Sequence, residues 1–136
     1  MKIEFNLKKI NLSKKGKEQG CLISYEKGTE PCVLTYTDIE FCEKNFEGVD
    51  LFDALNNLRL FLESEGWLLI CTGSRIDAYP SGMSRQMSNG RKAYLHEMNV
   101  KPEKKSVVDI FTNAPLEKIG TINEQNKYME EWRNSI

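Results

Sequence analysis

The chain is 136 residues long, enough for one domain with its own core, and it carries 19 basic against 20 acidic residues. A net charge of −1 gives the whole molecule no strong pull on nucleic acid, and no apolar run approaches the roughly 20 residues needed to cross a bilayer. Direct nucleic-acid binding and membrane insertion are therefore not expected.

The N-terminus, MKIEFNLKKINL, sets Ile3, Phe5 and Leu7 against polar neighbours. This alternation predicts a half-buried strand and not a signal peptide, which makes a cytosolic location the expectation. The pattern drifts at Lys8-Lys9-Ile10, where a bulge or slip is expected. SKKGKEQG follows as an exposed, lysine-rich loop. Cys21 to Glu26 and Cys32 to Thr37 read as two strands of a hairpin, joined by the turn segment KGTEP. Phe41, Cys42 and Phe46 suggest a further extended or irregular segment before Gly48.

The clearest helix runs from Asp50 to Glu65. Asp50 suits an N-cap and Asp53 places negative charge in the first turn. Leu51, Leu55, Leu58 and Leu62 recur at helical spacing, so this helix should lie across a sheet, and Gly66 should end it. WLLICTG has the continuous apolar character of a central strand. Strand-like KAYLHEMNV and VVDIFT come later, separated by the polar loop KPEKKS, and INEQNKYMEEWRNSI reads as a terminal helix capped by Asn123. Runs of adjacent strands with short connections predict an α+β fold spanning residues 1–136 as a single domain. It would hold a mostly antiparallel sheet of five or six strands, covered by the 50–65 helix, with a C-terminal helix.

The stretch SRIDAYPSGMSRQMSNGRKAY, residues 74 to 94, concentrates functional side chains. Much of it has a structural explanation. Arg75 and Asp77 fall on one face of an extended segment and can pair, and Ser81 can cap a short helical turn. Met83 and Met87 can pack inward together, and Asn89-Gly90 can turn the chain back. Catalysis would need a nucleophile held by a base, and Ser81, Ser84, Cys71 and His96 supply the residue types without any motif. The four cysteines, Cys21, Cys32, Cys42 and Cys71, form no CxxC pair, and the one histidine is distant in sequence. Free thiols, no metal site and no cofactor are expected. Arg75, Arg85, Arg91 and Lys92 interleave with Tyr79 and Tyr94, which leaves open a small enzyme or a nucleotide- or nucleic-acid-binding protein using this stretch.

Charge is segregated by segment. Asp38 to Glu65 holds eight acids against two bases, and Arg75 to Lys105 holds seven bases against three acids. An acidic patch suits a protein-binding module directed at a basic partner cleft. The block GSRIDAYPSGMSRQMSNGRKAYLHEM…VVDIF, within residues 73 to 111, resembles small bacterial immunity proteins of contact-dependent growth-inhibition and polymorphic toxin systems. The resemblance implies a non-catalytic cytosolic protein that binds a cognate toxin domain tightly, and it assigns no contact residue. The acidic segment supplies the first-choice contacts, Glu40, Glu43, Glu47 and Asp53. Arg75, Tyr79 and Arg85 come second.

Overall fold

The computed structural model describes residues 1–12, 16–28, 30–101 and 107–136. Its elements are β1 (Lys2–Asn11), β2 (Glu18–Glu26), β3 (Cys32–Asp38), β4 (Cys42–Gly48), α1 (Leu51–Ser64), β5 (Trp67–Ile70), β6 (Ala78–Tyr79), α2 (Gly82–Ser88), β7 (Lys92–Leu95), β8 (Val107–Asp109) and α3 (Ile122–Ser135). This is the expected α+β fold. A five-stranded antiparallel sheet runs in the order β4-β3-β2-β1-β5, and β6-β7-β8 form a second, smaller sheet. Of the loop expected at 13–20, Gly16 is turn and residues 18–20 already belong to β2; residues 13–15 lie outside the described residues, and so do residues 102–106 of KPEKKS.

β1 carries the logic of the large sheet. It pairs with β2 without interruption from Lys2↔Glu26 to Ile10↔Glu18, so the expected bulge near Lys9 is absent. The alternation continues in phase, and Leu7, Lys9 and Asn11 are all buried on the inner face. The apparent slip was a change of residue type, not of register.

α1 covers that inner face. The Asp50 side chain accepts from the Asp53 N–H, and Gly66 beyond the last turn has φ +85°, the left-handed geometry that glycine adopts at low cost. Phe52, Leu55, Leu58 and Leu62 are fully buried within one cluster that also takes in Ile23, Leu34, Leu69 and Phe111. Each such side chain contributes roughly 1.5–3 kcal/mol of burial. The helix approaches the end of β4 so closely that a β-carbon at Gly48 would lie 2.3 Å from the Ala54 nitrogen.

Several local expectations are corrected. β5 lies last in the sheet order, not centrally, although all four of its residues are buried. A continuous apolar run reports covered faces, and these do not require a strand on both edges. β7 ends at Leu95, where the next N–H, that of His96, donates to the Asp77 carbonyl. α3 is capped by Thr121, not Asn123, in a reciprocal box with Glu124. Met83 and Met87 do not pack inward; they are 70% and 82% exposed on a helix with no buried residue. Among the described residues no helix is long and apolar enough to cross a membrane.

Candidate functional site

The carboxylates proposed as contacts divide between three settings. In β4 the side chains alternate, and Phe46 turns inward to the Phe61 ring of α1 at 5.7 Å. Glu43 and Glu47 therefore point to the outer face, opposite Thr37 and Val33 of β3. The register carries that face on to Glu26 in β2 and to Glu4 in β1, with Lys2 and Lys8 as its bases. Lys8 is 3.8 Å from Glu18 and the N-terminal amine is 3.3 Å from Glu26. Among the described residues Glu4, Glu43 and Glu47 form no ion pair. α1 packs against the opposite face, so these groups stand on an open sheet surface.

Asp53 serves the helix end as well as the surface. Its carboxylate accepts from the Val49 N–H at 2.9 Å while its own N–H donates to Asp50. It shares a shallow recess with Glu30 and Glu47, beside the exposed Val49. Glu40 turns the other way, with its carboxylate 3.5 Å from the Lys9 ammonium.

Lys9 is the larger surprise. Fully buried, it lies 2.7 Å from an equally buried Asp38 carboxylate, with the Phe41 and Trp67 rings at 4.3 and 4.1 Å. Asp38 also accepts from Tyr36 Oη and from the N–H groups of Glu40 and Phe41. Burial works to raise its pKa, but donation from Lys9, Tyr36 and the Phe41 N–H prevails and holds it below the usual carboxylate value. Burial pushes the neighbouring Cys21 thiol up to about 12. The buried Lys9 was legible as the next residue in the Ile3, Phe5, Leu7 phase; its lysine identity argued against that phase.

Of the second group, Arg75 is occupied. It donates to both oxygens of Asp77, at 2.7 and 2.8 Å, as the spacing predicted. Tyr79 and Arg85 stand together elsewhere. Tyr79 packs edge-on against Phe52 at 5.2 Å, and the Arg85 guanidinium lies 5.2 Å from Phe52 and 5.7 Å from Tyr79 while bonding Asp50 at 2.9 Å. Both line a cleft between α2 and α3, about 400 Å³ in volume, with Tyr94, His96, Trp132 and Arg133.

Two buried side chains fix this cleft in place. Gln125 of α3 donates to the carbonyls of Gly73, Arg75 and Ala78, each at 3.0 Å or less. Arg59 of α1, buried with its pKa lowered by desolvation, donates to Gln125 Oε1 at 2.7 Å and to the carbonyls of Gly73 and Gly120 at 3.1 Å. Neither was anticipated, because nothing local in sequence marks a residue that bonds backbone 14 to 61 positions away.

The nucleophile candidates are engaged structurally. Ser81 and Ser84 complete the α2 capping box. Cys71 is fully buried, its thiol pKa raised by burial, and lies 3.4 Å from Ser74 Oγ. His96 Nε2 is 3.1 Å from the Tyr79 carbonyl, and burial holds the imidazole pKa below its ordinary value. Ser81 and His96 line one cleft without a hydrogen bond between them. No protein-family model matches the chain, and no curated protein is significantly similar to it.

Proposed function

We propose that this chain is an immunity-type protein that binds a cognate bacterial toxin domain in the cytosol and blocks its active site. The observation that carries the reading is the open outer face of the large sheet, where Glu4, Glu43 and Glu47 stand without ion pairs among the described residues. Carboxylates of this kind cost nothing to expose, and they speed encounter with a basic cleft such as that of a nuclease. They sit on a paired sheet, so little backbone ordering is needed on binding. Glu43 and Glu47 stand on the edge strand β4 with Asp53 beside them, while Glu40 lies against Lys9.

The test is co-purification with candidate bacterial toxin domains, nucleases first, followed by association kinetics at several salt concentrations. A one-to-one, salt-sensitive complex is expected, and the double variant E43K/E47K should slow association at least about tenfold. Unchanged affinity and association rate in that variant would remove this face from the interface.

A further inference from the structure

The α2–α3 cleft differs from the acidic face in every respect that matters for ligand choice. Among the described residues no carboxylate lines it, while two guanidinium groups do. Arg133 lies 5.8 Å from the Tyr79 ring and Arg85 5.7 Å from the same ring, so two like charges converge on one aromatic group. Asp50 answers only Arg85, and among the described residues Arg133 forms no ion pair. An anion bridging the two would be attracted by both, and guanidinium groups match phosphate oxygens in geometry.

Four of the other lining residues, Tyr79, Tyr94, His96 and Trp132, are aromatic. The Trp132 Nε1–H donates to the Val100 carbonyl at 2.9 Å, and the Trp132 ring lies 4.3 Å from that of His96. Tyr94 stands edge-on to His96 at 6.3 Å. Among the described residues the hydroxyls of Tyr79 and Tyr94 make no hydrogen bond. His96 Nδ1, in a residue only 6% exposed, is buried with no partner. Bases and other flat heteroaromatic rings stack on such surfaces. The volume, about 400 Å³, is within the range of small-molecule sites.

The geometry points to a binding site for a phosphorylated heteroaromatic ligand of nucleoside-monophosphate size, its phosphate between Arg85 and Arg133 and its ring against Tyr94 and His96. The site lies apart from the acidic sheet face and does not depend on the immunity reading. Titration of the full isotope-labelled chain with AMP, GMP, CMP and UMP, followed by amide chemical shifts, tests it. Saturable shifts at Tyr94, His96 and Arg133 are expected with at least one of them. The parent nucleoside and inorganic phosphate should each bind at least about tenfold more weakly, having lost one half of the recognition. Arg133 is exposed and makes only a ring contact, so R133A should keep the melting temperature and weaken binding about tenfold. The assignment is overturned if all four mononucleotides leave these amides unmoved at millimolar concentration, or if R133A binds as tightly as the parent chain.

Discussion

From Lys2 to Gly48 the chain is ordered by unbroken ladders and alternating side chains, each strand specified by its neighbour. From Cys71 to Gly120 the strands are two to four residues long, and the intervening loops converge on two distant side chains, Arg59 and Gln125. The first region is built from local pattern and the second from remote attachment. Each has one buried cation at its centre, and the two cations are satisfied differently. Lys9 faces a carboxylate and two rings, whereas Arg59 donates to neutral carbonyl oxygens.

Removing Arg59 should have the largest effect. R59M removes the Arg59 donors to the Gly120 carbonyl and Gln125 Oε1 and leaves the Gly73 carbonyl with Gln125 alone, so a loss of about 3–5 kcal/mol is expected by urea unfolding. Hydrogen exchange should then speed up first at Ile76 and Gly120, whose N–H groups close this region. A loss under about 1 kcal/mol would show that the attachment is not what orders the region. K9M should cost about 3 kcal/mol by leaving Asp38 buried and unpaired, and K9M/D38N should cost less than the two single changes added together. Q125L should come next, at about 1–3 kcal/mol, with exchange again faster around Ala78.

Acid separates the regions further. Asp38 and His96 both have folded pKa values below their ordinary ones, so each holds its proton less well in the native state. Acidification therefore favours unfolding for both. The His96 contribution is present above about 6.5 and declines as pH falls through its folded value. That of Asp38 is present above about 4 and declines below it. Urea midpoints measured against pH should show both phases, and H96Q should remove the upper one alone. The smallest effect belongs to E43K/E47K, which should leave the melting temperature unchanged while altering partner association.

Legibility followed the same division. The hairpin, α1 with its Asp50 cap and Gly66 stop, and the Arg75–Asp77 pair all depend on contacts within a few positions or on one clear period. The second sheet was hidden because β6 is only two residues long, too short to show any alternation. The Thr121-x-x-Glu124 box is written in the sequence, and Asn123 lies inside the helix that the box starts. Glu43 and Glu47 could be grouped from their spacing, while Glu40 separated from them only once Lys9 was seen to be buried. That Arg85 of α2 and Arg133 of α3 line one cleft has no trace in local sequence.

The four thiols give the chain a built-in chemical clock. Cys42, at the start of β4 with φ 59°, is exposed, while Cys21, Cys32 and Cys71 are buried. A thiol-specific reagent should modify one site per native molecule promptly, one residue from Glu43, and the other three only as their surroundings open. Those three sit in β2, in β3 and just beyond β5, close to the Lys9 pair, to Asn89 and to the Arg59 attachment. Their separate rates of modification would time the opening of each part of the molecule without a single substitution.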